Sequence, residues 1–383
     1  CKAPQGKLGK PAKVLCGYEK TNCLNPGESQ IIKIDVDEYS MASYDDSGVT
    51  GHKSCYVLEA GDYEILVGNS VKKCESVFTY QLDDTVVVEQ LSEVMCPDDD
   101  NLTILKPGAK KEDGSYEKVY VPSQKPTVDL GKRIEENLPK TMEITGDVGI
   151  TLQDVHAGKS SVEEFVAQLS VEELAQIVRG EGMSNPRVTK GTASAFGGLS
   201  DSLFNYGIPA ACTADGPSGL RMEAKATQLP IGTALSASWN PKLVRELYTM
   251  EGMELCRNEV DTLLGPGVNI HRHPLNGRNF EYYSEDPYLS GTMSVASTGG
   301  IKDGGAWGTI KHFALNGQEA HRFKIDAVCS ERAIREIYLK SFEMAVKEKT
   351  VMTLMTSYNP INGHWAASNY DLCTTVLRGE LGY

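Results

Sequence analysis

The chain has 383 residues, of which 40% are hydrophobic, and its formal net charge at pH 7 is −14. This length is enough for two domains with cores of their own. The acidic balance, without a run of basic residues longer than two, argues against nucleic acid as a partner. No stretch approaches the ~20 consecutive apolar residues of a membrane helix, so we expect no membrane partner either. The 10 cysteines include no Cys-x-x-Cys pair, and we expect reduced thiols in a cytoplasmic protein.

Residues 1–97 have the pattern of a small β-domain. Tyr63, Ile65 and Val67 alternate with polar neighbours, which is the period of a half-buried strand. Turn residues such as Asn25-Pro26-Gly27 separate the apolar runs. The pattern predicts an antiparallel sandwich with strands at 12–18, 30–36, 56–67 and 77–80.

Residues 98–158 lose this periodicity and contain many Pro, Gly, Lys and Asp residues, so we expect a linker that wraps around the next domain. The third segment, residues 159–383, begins with two Ser-x-x-Glu capping boxes. Ser161 with Glu164, and Ser170 with Glu173, predict two helix starts.

Apolar runs and amphipathic helices then alternate four times. The runs lie at 208–213, 262–270, 309–310 and 351–355, and the helices come after them at 241 onward, 287–301, 330–346 and 372–380. Asn240 and Pro241 mark the start of the first of these helices, on which Leu243, Leu247 and Met250 are predicted to form the apolar face. On the third helix the predicted face comprises Ile334, Ile337, Tyr338 and Ala345. The alternation predicts parallel strands with right-handed crossovers, in a barrel or a doubly wound sheet.

Polar residues lie just after the ends of these apolar runs. Asp215 comes after the first run, Arg278 after the second, Lys311 and His312 after the third, and Tyr358 after the fourth. In a barrel the carboxyl ends of all strands meet at one rim, where active sites lie. A carboxylate accepts two hydroxyl protons, and basic side chains donate to hydroxyl oxygens. These residue types therefore indicate a site for a sugar.

Other polar residues allow competing interpretations. His271 and His273 alternate and, with His312, have the ligand types of a metal site, although packing at the rim is favoured over metal binding. Glu285 and Asp286 are adjacent and are therefore disfavoured as an opposed catalytic pair; Asp286 before a proline is typical of a helix cap.

Four further side chains have less specific predictions. We expect Glu281 to pair with an arginine such as Arg278 or Arg332, and Trp239 to lie in the core. Glu319 and Arg322 lie shortly after His312, and the sequence leaves open whether they support the site or are plain structure.

The motifs in the second half closely resemble those of glycoside hydrolase family 3. The resemblance is carried, in order, by residues 213–221 (TADGPSGLR), 264–270 (LGPGVNI), 277–287 (GRNFEYYSEDP), 311–313 (KHF) with Asn316 and Glu319, and 357–359 (SYN). The first half resembles the fibronectin-type module of the same family through 24–28 (LNPGE) and 42–46 (ASYDD). A module that precedes the barrel is similar to the reversed-order β-glucosidases of gut and rumen anaerobes.

The resemblance implies a fibronectin III-like β-sandwich followed by the first part of a (β/α)8 TIM-like barrel. It implies hydrolysis of terminal non-reducing β-D-glucosyl or β-xylosyl residues by a retaining mechanism, without cofactor or metal. Small β-glucosides or oligosaccharides would be the partners, an oligomer is possible, and the location would be the cytoplasm of an anaerobic bacterium. The implied sugar-binding residues are Asp215, Arg278, Lys311, His312, Met355 and Tyr358, with Arg221 as an addition.

The chain departs from the family pattern at its two catalytic carboxylates. The resemblance places the nucleophilic aspartate shortly after Tyr383 and the acid/base glutamate before Cys1. We therefore expect an internal fragment with no activity of its own. Two alternatives stay open: a non-catalytic carbohydrate-binding protein and a metal-dependent barrel hydrolase.

Overall fold

The computed structural model describes residues 1–183, 185–223 and 225–383. The front part contains a short helix α1 (Glu38–Met41) and five strands: β1 (Ser43–Asp45), β2 (Cys55–Leu58), β3 (Gly61–Ser70), β4 (Lys73–Leu82) and β5 (Val86–Gln90). One antiparallel sheet has the order β1-β2-β5, and β3 pairs with β4 in a second. Leu58 and Tyr63 are buried between these sheets. Two small facing sheets are the arrangement expected of a sandwich.

Two of the strands predicted from the pattern are absent from the described front part. Residues 12–18 and 30–36 belong to no ladder, and Ile31 is 97% exposed. An alternating sequence favours a strand, but a strand also needs a neighbour with which to exchange hydrogen bonds. The predicted run 56–67 is two strands, because the chain turns at Gly61, whose φ of 133° is rarely adopted by other residues.

The segment predicted as a linker contains regular structure. It holds the hairpin β6 (Thr103–Lys110) and β7 (Tyr116–Pro122), and then helices α2 (Leu130–Glu136) and α3 (Leu152–His156). The hairpin was missed because Pro107 and Gly108, which usually interrupt a strand, lie inside β6 next to a register shift. The domain boundaries at 97 and 158 stay predictions.

The helix starts predicted in the second half are confirmed. Helices α4 (Val162–Ala167) and α5 (Val171–Arg179) both begin with complete capping boxes, at Ser161 and Ser170. Two short helices come next, α6 (Asp201–Asn205) and α7 (Gly232–Ala237). The side chain of Asn240 caps α8 (Pro241–Arg257), and that of Asp286 caps α9 (Pro287–Asp303). None of the helices in the described ranges is both long enough and apolar enough to cross a bilayer.

The apolar face predicted for α8 is wrong at Leu243 and Met250, while Leu247 packs against the core as predicted. Leu243 and Met250 are exposed, whereas the buried side of the helix carries Tyr248, Glu251 and Leu255. The hydrophobic residues of this helix are spread around its circumference, and the contact with α9 selects a different side.

The third predicted helix is interrupted by a wider turn. It consists of α10 (Glu331–Ala333), a π-helical turn at Ile334–Tyr338 and α11 (Lys340–Lys347), and the chain ends with a second π-helical segment at Asp371–Glu380. A π turn adds a residue and rotates the next part of the helix about its axis. Ile334 and Ala345 are therefore buried while Ile337 is exposed, so the predicted common face is wrong at Ile337.

A five-stranded sheet organises the second half. Its strands are β8 (Ser194–Gly197), β9 (Ala210–Asp215), β10 (Thr262–Leu264), β11 (Trp307–Phe313) and β12 (Thr353–Thr356), in the spatial order β12-β11-β10-β9-β8. The four strands from β9 to β12 are parallel, as predicted, and β8 is antiparallel to β9. Two short strands, β13 (Pro360–Ile361) and β14 (His364–Trp365), form a hairpin after β12. Four consecutive parallel strands are half of the eight that close a barrel.

The two parts of the chain are joined by a buried polar contact with α10 and the π turn next to it. The hydroxyl of Tyr44 donates to Glu331 over 2.7 Å, and Arg332 donates to the carbonyl of Gly9 over 3.0 Å. Arg335 donates to the carbonyl of Ser92 over 2.8 Å. These contacts attach the front module to the helical segment that begins at Glu331.

Candidate active site

The register of the parallel sheet brings the predicted polar residues to one edge. Asp215 is the last residue of β9 and pairs in register with Leu264 of β10. Lys311 of β11 pairs with Met355 of β12 and makes a further bridge to Gly267. Because the strands are parallel, their carboxyl ends lie side by side and form a common rim.

Asp215 is oriented by two cations. One carboxylate oxygen, Oδ2, accepts from Arg221 Nη1 over 3.0 Å, and the other, Oδ1, lies 3.5 Å from Lys311 Nζ. The turn between Asp215 and Arg221 is closed by a backbone hydrogen bond of 2.8 Å, from Arg221 N to Asp215 O. It contains Gly216 and Gly219, both at positive φ. The carboxylate of Asp215 is partly exposed and lies between these two cations.

The ammonium group of Lys311 is buried at the centre of the site. Burial lowers the pKa of Lys311, while the carboxylates of Glu281 and Asp215 act in the opposite direction. A buried amine needs such partners in order to stay charged.

The guanidinium of Arg278 is held by two neighbours. Arg278 Nε donates to Glu281, which confirms the predicted ion pair, and Arg278 Nη1 donates to His312 Nε2 over 2.8 Å. A guanidinium can only donate, so His312 Nε2 must accept. The proton of the neutral ring is therefore on Nδ1, which lies 3.1 Å from the Tyr282 hydroxyl and 3.3 Å from Asn269 Oδ1.

Burial and positive neighbours keep this imidazole neutral. Burial has the largest effect, then the charges of Arg278 and Lys311, and together they lower the pKa of His312 to about 2. At neutral pH the His312 ring thus carries no charge and accepts a hydrogen bond from Arg278.

A second row of polar residues supports the first. Asn316 Nδ2 donates to the Tyr282 hydroxyl and to Glu319 Oε1, both over 2.8 Å. Arg322 donates to the other oxygen of Glu319 over 2.8 Å, and its guanidinium carbon lies 5.0 Å from the ring centroid of Tyr358. Glu319 and Arg322, whose role the sequence left open, therefore belong to the surroundings of the site.

The wall of the site contains an exposed aromatic ring. Tyr358, two residues after β12, is half exposed, and its ring centroid lies 4.6 Å from that of Phe323. Met355 is partly buried in β12 beside Lys311. The structure thus brings all seven predicted residues to one rim, and their binding of a sugar stays a prediction. Phe323 was not singled out in the sequence, since it has no motif of its own.

The alternative sites gain little from the geometry. In the described residues, no group of three or more His, Cys, Asp or Glu side chains is placed to hold a metal ion. His273 Nδ1 accepts from the backbone of Leu275 over 3.1 Å, and both ring nitrogens of His312 have protein partners. Trp239 is partly exposed, with its ring edge-on to Tyr18, so its assignment to the core is wrong.

Comparison with known proteins identifies the family. Residues 147–383 match the Glycosyl hydrolase family 3 N terminal domain, and residues 1–71 match the Fibronectin type III-like domain. The chain belongs to glycoside hydrolase family 3. This family 3 chain is 50% identical to a beta-glucosidase of Ruminococcus albus over 384 aligned positions. It is 39% identical to beta-glucosidase A of Butyrivibrio fibrisolvens over 408 aligned positions.

Solved beta-glucosidase structures agree with this family assignment. A beta-glucosidase from Paenibacillus barengoltzii superimposes with a TM-score of 0.97 at 62% identity, over 100% of this chain and 42% of that one. Beta-glucosidase 3B from Thermotoga neapolitana in complex with glucose superimposes with a TM-score of 0.54 at 38% identity, over 58% of this chain and 33% of that one. The chain covers 40% of the Ruminococcus enzyme and 47% of the Butyrivibrio enzyme, less than half of each.

Proposed function

We propose that this chain supplies the sugar-binding half of a β-glucosidase active site. The protein would hydrolyse terminal non-reducing β-D-glucosyl, or β-xylosyl, residues of small glucosides and oligosaccharides with retention of configuration. One observation supports this above all: the Asp215 carboxylate lies between Lys311 and Arg221 at the rim where the Arg278 and His312 pair also lies.

Each side chain has a role that can be derived from its contacts. Asp215 keeps lone pairs free and would accept protons from two neighbouring sugar hydroxyls. Lys311 would donate to one of the same hydroxyl oxygens, and charged hydrogen bonds of this kind are the stronger ones. Arg278 would donate through its remaining N–H groups, while His312 orients it. Tyr358, with Met355, would contact the apolar face of the sugar ring.

The two carboxylates that break the glycosidic bond are proposed to lie outside residues 1–383. A retaining mechanism needs two carboxyl groups ~5–5.5 Å apart, on opposite sides of the bond, one as nucleophile and one as acid/base. Three carboxylates at the rim are each paired with a cation: Asp215 with Arg221, Glu281 with Arg278 and Glu319 with Arg322. On this proposal residues 1–383 alone bind sugar weakly and do not turn it over.

The proposal is tested with two proteins, residues 1–383 and the product of the complete reading frame. We expect the complete protein to hydrolyse p-nitrophenyl β-glucoside or β-xyloside, and residues 1–383 to be inactive. Turnover by residues 1–383 at the rate of the complete protein would show that the carboxylates are within this chain. Glucose binding by the complete protein, measured by calorimetry and unaccompanied by any turnover, would instead favour a carbohydrate-binding protein.

A cytoplasmic location in an anaerobic bacterium is part of the same proposal. All ten cysteines are free. This is consistent with a reducing compartment, where disulfides are rare.

A further inference from the structure

Helix α8 lies behind the turn that carries Asp215 and Arg221. The Tyr248 hydroxyl donates to the carbonyl oxygen of Pro217 over 3.0 Å. Two turns further along the helix, the Glu254 carboxylate accepts from the backbone N–H of Thr227 over 3.1 and 3.2 Å. Glu251 lies midway between Tyr248 and Glu254, three residues from each, and so on the same side of the helix.

The carboxyl group of Glu251 is buried without a hydrogen-bond partner. The residue is 3% exposed, and among the described residues neither carboxyl oxygen has a hydrogen bond. The hydroxyl of Ser218, in the turn itself, is also buried and unpartnered. The backbone N–H of Gly219 faces the Glu251 carboxyl. It donates its hydrogen bond, however, to the carbonyl oxygen of Gly216 over 3.2 Å. A buried carboxyl without partners is costly, and its position behind the sugar site requires an explanation.

In the part of the chain that the structure describes, the groups that face Glu251 include no cation. They are Tyr248 and Glu254 on its own helix, Tyr283 on the segment before α9, and the Gly219 backbone. The pKa of Glu251 is raised to about 8, mainly by burial; the Gly219 N–H acts in the opposite direction, and the negative charge of Glu254 adds a smaller upward effect. At neutral pH the carboxyl is therefore protonated, so that it can donate one hydrogen bond and accept another.

The turn in front of Glu251 has little freedom to move elsewhere. A Cβ added at Gly219 would lie 2.2 Å from the carbonyl oxygen of Thr227, so the backbone is packed closely on its other side. Asp215 and Arg221 are the two ends of this turn. A small shift of Gly219 would thus change the direction of both side chains.

We propose that Glu251 is a positioning residue for the sugar site, whose buried carboxyl supports the 217–219 backbone from behind and so sets the directions of Asp215 and Arg221. The effect on sugar binding rests on the proposed function above, but the effect on the turn does not. Glu251 touches no substrate and acts only through this turn.

The test uses the complete protein with three variants: Glu251→Leu, Glu251→Gln and, as a matched control, Glu246→Gln at an exposed position of the same helix. We expect Glu251→Leu to raise the KM for p-nitrophenyl β-glucoside about five- to tenfold, because the Gly219 N–H then faces an apolar side chain in place of a polar one, with little change in kcat. Glu251→Gln, which keeps the shape and an uncharged polar group at the end of the side chain, should keep the wild-type KM at pH 7. The KM of the wild type should rise above about pH 8 as the carboxyl ionises, and that of Glu251→Gln should not.

Hydrogen exchange of the 215–221 backbone gives a readout that needs no activity. Exchange should be faster in Glu251→Leu than in wild type, and unchanged in Glu251→Gln and Glu246→Gln. If the wild type neither binds nor cleaves glucosides, the proposed function fails while this measurement still decides the role of Glu251. Unchanged exchange and KM in Glu251→Leu would overturn the proposal, as would equal damage in the Leu and Gln variants. If Glu251→Leu does not fold, the Gln variant tests the proposal. A KM of Glu251→Gln that rises above pH 8 in the same way as the wild-type KM would overturn the proposal.

Discussion

Replacing Arg335 by leucine is expected to lower the free energy of unfolding by about 3–5 kcal/mol, the usual cost of breaking a buried ion pair by removing one partner. The Arg335 side chain is 4% exposed. It donates to Glu331 Oε1 and to Glu380 Oε2, each over 2.9 Å, and to the carbonyl of Ser92 over 2.8 Å. The variant leaves two carboxylates buried without their cation. Burial already raises the pKa of Glu331 to about 7, although Arg335 counteracts it.

A surface arginine provides the control. Arg245 pairs with Asp303 over 2.7 Å, but both side chains are nearly half exposed, so Arg245→Leu should cost less than about 1 kcal/mol. Both variants are compared by urea denaturation of the complete protein, monitored by near-UV circular dichroism. A denaturation midpoint of Arg335→Leu equal to that of Arg245→Leu would refute the reasoning. Adding Glu331→Gln to Arg335→Leu should recover part of the loss, because it removes one of the unpaired buried charges.

Four further predictions concern the site. Lys311→Met should lower kcat/KM for p-nitrophenyl β-glucoside roughly ten- to a hundredfold, as expected for one charged hydrogen bond, in steady-state kinetics of the complete protein. His312 should appear in NMR spectra as the Nδ1-protonated tautomer, without titration between about pH 5 and 8; a midpoint near its ordinary pKa of about 6.5 would contradict the contact with Arg278. The pKa of His312 is lower in the folded state than in the unfolded chain, so its contribution to stability falls as the pH drops below about 6.5. In acid denaturation, the stability of His312→Asn should therefore fall less with decreasing pH than that of the wild type. Hydrolysis by the complete protein should be unchanged in EDTA, and inhibition reversed by added zinc would favour the metal-dependent alternative.

Local sequence chemistry predicted the parts of the fold that depend on near neighbours. The caps at Ser161, Ser170 and Asn240 need only residues three positions away, and all three are present. The rim could be predicted because parallel strands place their carboxyl ends together, whatever the details of packing. Asp215 and Lys311 therefore lie together, although almost one hundred residues separate them in sequence.

Features that depend on distant partners were not predictable in this way. The exposed run around Ile31 has the composition of a strand but no strand beside it among the described residues. The π turn at Ile334–Tyr338 has no sequence signal, and it rotates Ile337 out of the core. A hydrophobic pattern also cannot find Glu251, because the buried side of α8 carries a carboxyl where the pattern expects an apolar residue.

The contacts of Arg332 and Arg335 with the front module have a practical consequence for protein engineering. Both arginines lie on the helical segment that comes after β11, the strand that presents Lys311 and His312. In a chimaera in which another module replaces residues 1–97, the two arginines would lose the carbonyl oxygens of Gly9 and Ser92 as acceptors. Grafts should therefore carry the 330–347 segment together with the module that it contacts.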